Sequence, residues 1–387
     1  MSRYIYVQAQ ADHVASLAKA TPLGAIEELI WNALDADARE VRVDLITNPL
    51  GAVEAVRVAD NGTGIDVLKA DATFGSLGGS WKRLATNTPA LQRRLHGRHG
   101  RGRFKAFALG TRVEWRTTMR AGMDVLSYTI VGTIDKPGVF EIEVAPPGPG
   151  TGTEVYVSNA GANCDALLDV GETVPALAAK FALYLKAYPD VRIYFNGLPV
   201  TPIIVQRAVT DIDLKLERNA KAKLEIIEWK CRFAGAGRLV LAGPDGFQLH
   251  DIAAGVRTGG VPFTAYLVSP RFPALNAENA LVMDELNAEV RMYLDAAKAA
   301  IKRHFAEQGR ETASAAVAGW IDEGSYPFAG EEDGSEKERA RFDKLAVELT
   351  GRLESFAEMQ PSDRAIVLRL LRRAMGTAKG GLKELLK

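Results

Sequence analysis

The stretch Glu27-Glu28-Leu29-Ile30-Trp31-Asn32-Ala33-Leu34-Asp35-Ala36 decides how this chain folds. Leu23, Ile26, Leu29, Ile30 and Ala33 recur at helical spacing, which predicts a helix over 22–39, set off by Pro22 from another over 12–20. Glu28 and Asn32 stand four residues apart and share one face, with Asp35 three further along nearly the same line. The other face is apolar, so the helix can bury one side and point oxygen ligands from the other. A carboxylate beside a neutral amide oxygen suits a magnesium site that also needs a base to deprotonate water. Taken alone, an amphipathic helix with a polar face explains the same residues.

Two strand-like runs follow, residues 41–47 and 53–60, joined by a turn at Pro49-Leu50-Gly51. The second run ends in Asp60-Asn61-Gly62-Thr63-Gly64. A carboxylate at a strand end can accept a hydrogen bond from an exocyclic amine such as that of adenine. Gly62 and Gly64 turn the chain without side-chain bulk, so a flat ring can approach the backbone. The same residues are also good chemistry for a plain β-turn.

Further on, Gly97-Arg98-His99-Gly100-Arg101-Gly102-Arg103-Phe104-Lys105-Ala106-Phe107 runs from loop into helix, expected over 103–109. Glycines free backbone N–H groups to converge on an anion, and a helix N-terminus adds partial positive charge. Arg98, Arg101, Arg103 and Lys105 add full charges. The segment lacks the Gly-Lys-Ser/Thr ending of a P-loop, and its spacing is not that of the dinucleotide fingerprint. A flexible basic loop is the plainer alternative.

Strands are expected at 112–118, 124–132, 139–145, 153–158 and 191–197, and a helix near 174–187. Helices first and a largely antiparallel sheet after them indicate an α+β sandwich with helices on one sheet face. Residues 203–284 look like a second α+β unit. An amphipathic helix is expected over 286–305, a linker over 323–338 and a helical tail over 339–375. In the tail Phe342, Leu349 and Phe356 recur every seven residues, with Leu345 and Leu353 beside them, as on one packed helix.

Composition adds boundaries. Of 387 residues, Lys plus Arg number 48 and Asp plus Glu 48, so bulk charge selects no partner and a nucleic-acid face would be a local patch. Cys164 and Cys231 lie far apart, which argues against a disulfide framework or a zinc site and fits a reducing compartment. The opening residues lack the apolar core of a secretory signal and no run is long enough to span a membrane, so a cytoplasmic protein is expected.

In this order the three motifs resemble the GHKL superfamily of ATPases, which includes gyrase B, the ninety-kilodalton heat-shock chaperones, histidine kinases and MutL. The resemblance covers about residues 20–160 and implies the Bergerat α/β sandwich. It makes Glu28 the general base, Asn32 the ligand of magnesium (Mg2+) and Asp35 the acid behind that amide. Asp60 becomes the adenine-reading carboxylate with Gly62 and Gly64 as its turn. Gly100 and Gly102 become the phosphate-loop glycines, with Arg101, Phe104 and Lys105 beside them, and Thr153 in Gly152-Thr153-Glu154-Val155 the supporting threonine. Residues 66–98 would form a mobile ATP lid in which Ser80 and Lys82 face the nucleotide or solvent. The resemblance implies an ATP-binding domain at 1–202, a transducer-like α+β domain at 203–310, a linker at 311–338 and a helical tail at 339–387.

Within the superfamily, Glu28 favours the hydrolysing members over histidine kinases, for which His13 makes a poor phosphoacceptor. Gly102-Arg103-Phe104-Lys105 looks most like the MORC-type ATPases. Pro273-Ala274-Leu275-Asn276-Ala277-Glu278-Asn279 resembles the chaperone middle domain faintly, with Asn279 where an Arg is expected; Arg257 and Lys230 are the other candidates for a cation on the terminal phosphate. The expectation is an ATPase that binds ATP or ADP with magnesium, dimerises with itself when ATP is bound and acts on a DNA or protein client, with the basic stretches 92–103 and 364–387 as candidate DNA faces. The rival expectations are an ATP-sensing interaction module with little turnover, and a chaperone-like protein.

Overall fold

Helix α1, Pro22–Asp35, begins where Thr21 Oγ1 accepts the backbone N–H of Gly24 at 3.1 Å and Pro22 supplies a preset φ in the first turn. Ile26, Leu29, Ile30, Ala33 and Leu34 form its buried stripe. It ends as Ala36 N–H bonds back to Asn32 O at 3.1 Å and Asp37 turns into the left-handed region at φ 61°. The structure, a computed structural model, describes residues 20–66, 87–88, 90–93, 95–96, 102–136, 139–146, 148, 150–217, 220–233, 235–283, 287–328, 334–351 and 353–377. The expected helix at 12–20 and most of the expected lid, Ser80 and Lys82 included, lie outside these residues.

Strands β1 (Glu40–Thr47) and β2 (Val53–Asp60) form the expected hairpin. Its turn is held by Asn48, whose Oδ1 accepts Leu50 N–H at 2.9 Å and Ala52 N–H at 3.1 Å. The expected helix at 103–109 is one turn of α-helix, α2 (Gly102–Lys105), followed by a 3₁₀ turn, Ala106–Ala108. Then come β3 (Gly110–Ala121), β4 (Asp124–Thr133), β5 (Phe140–Ala145), β6 (Gly152–Ala160), α3 (Val170–Ala187), β7 (Arg192–Phe195) and β8 (Leu198–Pro199).

The strands form one sheet in the order β5-β4-β3-β6-β2-β1-β7-β8, antiparallel throughout except where β7 lies parallel to β1. Alternation along β3 sorts its two faces. Val113, Trp115 and Thr117 are buried under the helices with Phe104, Phe107 and α1. Glu114 and Arg116 face out into a ladder of charges, where Arg116 reaches Glu154 at 2.9 Å and Arg57 reaches Glu154 at 2.6 Å and Asp44 at 3.0 Å. This is the expected α+β sandwich.

After the short α4 (Pro202–Val205), strands β9 (Gln206–Lys215), β10 (Lys221–Trp229), β11 (Arg238–Ala242), β12 (Gln248–Ala253) and β13 (Phe263–Val268) form a second sheet ordered β12-β11-β13-β10-β9. Helix α3 is buried on both sides. Leu177, Ala178, Phe181 and Tyr184 pack into the first core, while Ala176, Ala179, Ala182 and Leu183 pack against Ile227, Trp229, Val240 and Tyr266 of the second sheet. A helix apolar all round is what two flanking sheets require.

The chain divides into two compact units. One holds the described residues up to Ala254 together with Pro262–Leu294; the other holds Gly255–Val261 and the described residues from Asp295 onward. Helix α5 (Phe272–Ala277) belongs to the first unit, and α6 (Ala288–Asp322) runs well past the expected end at 305. In the second unit α7 (Glu336–Thr350) and α8 (Pro361–Thr377) pack with Trp320, Phe328, Phe342, Phe356 and Leu368. The seven-residue stripe of the tail therefore does not lie on one helix. Phe356 sits in a 3₁₀ turn between the two, because Gly351 and Pro361 punctuate the run, and Leu353 is exposed. Among the described residues no helix is long and apolar enough to cross a membrane.

Candidate functional site

At the C-terminal end of α1, β2 delivers Asp60 into a buried corner. Its Oδ1 accepts two backbone N–H groups, Gly62 at 2.8 Å and Thr153 at 3.3 Å. Burial nevertheless dominates, and the Asp60 carboxyl is pushed up to about 7 while the two N–H bonds pull the other way. Both bonds fall on one oxygen; among the described residues no hydrogen bond reaches Oδ2.

The glycines beside it are there for space. A Cβ on Gly62 would stand 2.5 Å from Ala36 O. Gly64, at φ +77°, would place one 2.2 Å from Thr118 O. Gly152, at φ +147°, would place one 2.1 Å from Asp60 O. Thr63 N–H donates to Ala36 O at 2.7 Å, which ties the turn to the end of α1. Two hydroxyls complete the corner: Thr153 Oγ1 and Thr117 Oγ1 are 3.1 Å apart, and Thr117 Oγ1 accepts Ile65 N–H at 2.8 Å. Thr117 is absent from the residues expected of the site. Its signal in the sequence is a polar residue at an inward position of an alternating strand.

Two turns earlier on α1, Lys105 Nζ of α2 donates to Glu28 Oε2 at 2.8 Å, with the Glu28 side chain only 13% exposed. At about 1.5 Å of rise per residue, the eight residues from Glu28 to Ala36 separate this pair from the Asp60 corner by about 12 Å. Asn32 lies between them, half-buried, and its side chain makes no hydrogen bond among the described residues. The neighbouring Glu27 points elsewhere, 3.8 Å from Lys180 of α3. Burial raises its carboxyl, and Lys180 counteracts that.

The remaining site residues are placed as follows. Asp35 is buried, and its Oδ1 accepts the backbone N–H of His96 at 2.7 Å. Gly102 opens α2. Phe104 turns its ring into the core, 2% exposed and 6.1 Å from Phe140, so only its backbone can face a ligand. Gly100 and Arg101 lie outside the described residues. Arg93, within the basic stretch read as a candidate DNA face, is instead 2% exposed. It donates to Ala38 O at 2.6 Å and to Asp190 at 3.3 Å. Beside it Asp37 accepts Ala90 N–H at 2.9 Å and Leu91 N–H at 3.2 Å. The described residues between 87 and 96 are thus tied to the end of α1 through the buried Arg93 and Asp37.

Of the two candidate cations, Lys230 and Arg257, only Lys230 lies in this unit, and it has a local partner. Lys230 donates to Ile204 O at 2.9 Å. Asn279 takes φ 56° just past the end of α5, a left-handed position that Asn tolerates and Arg does not favour.

The protein-family comparison matches residues 20–137 to the model described as histidine kinase-, DNA gyrase B-, and HSP90-like ATPase. No curated protein matches the chain. The matched residues contain α1, the β1–β2 hairpin with the Asp60 corner, and α2 with Lys105. The helix-borne acid and amide and the strand-end aspartate thus fall within one matched stretch, and residues 20–137 are a domain of the GHKL ATPase type.

Proposed function

We propose that this protein is a magnesium-dependent ATP hydrolase whose turnover gates its own dimerisation. The observation that carries the reading is α1 itself, with an acid and a lysine at one point and a sterically sealed aspartate corner about 12 Å along. That span suits a nucleotide lying along the helix, base at one end and phosphates at the other. In this reading Asp60 Oδ2 accepts from the adenine amine, with Thr153 and Gly62 holding Oδ1 and with Gly64 keeping the turn closed. Gly100, Arg101, Gly102 and Lys105 meet the phosphates, and buried Phe104 anchors α2 beneath them. Asp35 acts through the His96 backbone.

Asn32, a neutral oxygen donor with its side chain uncommitted, fits a metal held mainly by substrate phosphates. When bound there, magnesium would neutralise charge on the phosphate oxygens. Glu28 takes the proton of the attacking water. Residues 203–310 act as a transducer-like domain, 311–338 as a linker and 339–387 as a helical tail of a clamp closing on a DNA or protein client in the cytoplasm.

One observation favours a second reading. Lys105 occupies the Glu28 carboxylate, which would suit an ATP sensor with slow turnover. Steady-state ATPase and direct ATP binding, with and without magnesium, separate the two for wild type and Glu28→Ala. Hydrolysis lost in Glu28→Ala with binding retained supports the enzyme. Equal rates in the two proteins leave the sensor, and no affinity for adenine nucleotides ends both readings.

A further inference from the structure

The second sheet ends in a long strand with an open side. β9 (Gln206–Lys215) is the last of its five strands and, among the described residues, pairs only with β10. It runs for ten residues, about 33 Å, without a proline, and its register irregularity lies at the start, opposite Glu228 and Trp229. Such an edge presents a row of backbone N–H and C=O groups to another strand.

The two faces of β9 differ. Arg207, Val209, Asp211, Asp213 and Lys215 are exposed on one. Ala208, Thr210, Ile212 and Leu214 are half-buried on the other, where Thr210 and Ile212 lie opposite the fully buried Ile226 and Leu224. Asp211 is taken by Lys223 at 2.8 Å. Arg207 and Asp213 make no hydrogen bond or ion pair among the described residues. Just before the strand Ile203 and Ile204 are exposed, and Leu216 follows just after it.

These positions decide which strand fits. A second copy of β9, laid antiparallel about a two-fold axis through Thr210, sets Arg207 opposite Asp213 twice. On the other face Ala208 meets Ile212 and Gln206 meets Leu214. The two charges left unpaired in one copy thus pair between copies, and the Ile203–Ile204 end of each strand arrives at the Leu216 end of the other. Neighbouring registers fit less well. An axis through Asp211 opposes that carboxylate to itself and Arg207 to Lys215. An axis through Ile212 opposes Asp211 to Asp213. An axis through Val209 makes Arg207 compete with Lys223 for Asp211 and leaves Leu214 beyond the partner strand. The edge of the first sheet is a contrast: β5 exposes Glu141 and Glu143 on one face, so self-pairing there sets carboxylate against carboxylate.

We infer that β9 is the docking edge for a second copy of this chain, which joins two five-stranded sheets into one across a two-fold axis at Thr210. Main-chain hydrogen bonds supply the attraction. The Arg207–Asp213 pairs set the register, since exposed ion pairs contribute little energy but a slip toward Asp211 puts like charges in opposition. This seam needs no nucleotide and is separate from the ATP-gated contact proposed above.

Sedimentation equilibrium of the nucleotide-free full chain over a range of concentrations tests it, for wild type, Arg207→Asp, Asp213→Arg and the exchange of both. Both side chains are exposed and unbonded, so neither reversal removes a contact of the folded monomer; circular dichroism checks this. Wild type is expected to form a dimer and nothing larger, because the two-fold pairing uses up the edge. Each single reversal turns both cross-strand pairs into like charges and should weaken the dimer about tenfold. The exchange restores opposite charges and should recover most of that loss. A monomer at every concentration overturns the inference, as does a dimer indifferent to both reversals or one that the exchange fails to restore. A chain that pairs in this way yet binds no nucleotide keeps this inference and loses the ATPase reading; a nucleotide-binding chain that stays monomeric without nucleotide does the opposite.

Discussion

Lys105 Nζ donates to Glu28 Oε2 at 2.8 Å, so the acid proposed to activate water and the lysine proposed to meet phosphate hold each other across α1 and α2. The Lys105 side chain is 40% exposed, which leaves the pair open to competition from an arriving anion. In the proposed reaction, a phosphate that draws Lys105 away would free the carboxylate at the moment it is needed.

This competition has a measurable sign. Glu28→Gln removes the rival acceptor charge, so ATP should bind a few-fold more tightly than to wild type while hydrolysis falls by about 10²–10⁴, the usual worth of a general base. Lys105→Met should do the reverse for binding, raising KM by about tenfold or more as a charge-assisted hydrogen bond to phosphate is lost, with kcat changed far less. Lys105→Arg should recover part of the affinity. Titration calorimetry and initial rates check all three. A kcat collapse in Lys105→Met at unchanged KM would instead assign Lys105 to the chemical step.

The Asp60 corner predicts a pH dependence near neutrality. The folded carboxyl titrates at about 7, far above its ordinary range, because burial outweighs two N–H donors. The native state then keeps a proton between about pH 4 and 7 that the unfolded chain gives up. This contribution to stability is present below about pH 4 and is lost as pH rises through 7. Adenine demands the opposite form, since its amine needs a carboxylate acceptor. ATP affinity should therefore improve steadily from pH 6 to 8, while thermal stability of the nucleotide-free protein falls over the same range. Asp60→Asn should flatten both curves. A flat affinity profile in wild type would remove Asp60 from base recognition.

The sequence makes the first sheet readable because each inner strand obeys a two-residue alternation and each helix a single stripe. Asp60, Gly62 and Gly64 were legible as a strand end and turn, which Asp-Asn-Gly chemistry favours by itself; their reading as a nucleotide corner came only from the three motifs taken together. Other features were not legible. Arg93 lies in a run of basic residues, and nothing local distinguishes a buried arginine from a solvated one; only the folded chain brings Ala38 O and Asp190 to it. Phe247, whose ring centroid lies 5.7 Å from that of Trp31, is separated from it by more than two hundred residues, so no periodicity links them. The tail misled because a seven-residue recurrence of Phe342, Leu349 and Phe356 ignores Gly351 and Pro361, which split it into two helices.

Gly64 offers a test of the turn that is independent of any nucleotide. At φ +77° with Thr118 O 2.2 Å from a modest added methyl, Gly64→Ala meets both backbone strain and a backbone clash. Strain alone costs about 1–3 kcal/mol, and neither Thr118 nor β3 can give way without breaking the sheet register. The melting temperature should drop by several degrees. Gly51→Ala, at φ +84° with open space around it, serves as the control and should lose about 1 kcal/mol from the backbone alone. Equal losses in the two variants would show that the turn does not press on β3.

Arg93 is tied to the rest of the domain by two kinds of bond with different weights. Its Nη1 donates to Ala38 O at 2.6 Å in a fully enclosed position, while its Nη2 reaches Asp190, which is half exposed and lies 3.4 Å from Arg39 as well. Removing the guanidinium leaves Asp190 hydrated and still near a cation, but leaves the Ala38 carbonyl buried. The penalty should follow the carbonyl: Arg93→Met is expected to cost about 1–3 kcal/mol, seen as a lower midpoint in urea. Because the exposed half of the interaction is screened by salt and the enclosed half is not, the loss should persist at 1 M salt, where the Debye length is about 3 Å against about 10 Å at 0.1 M. Arg93→Lys should recover only part of it, since one ammonium on a flexible stem cannot hold Ala38 O and Asp190 with the fixed fork of a guanidinium. A loss that vanishes in high salt would transfer the anchoring role from the carbonyl to the ion pair.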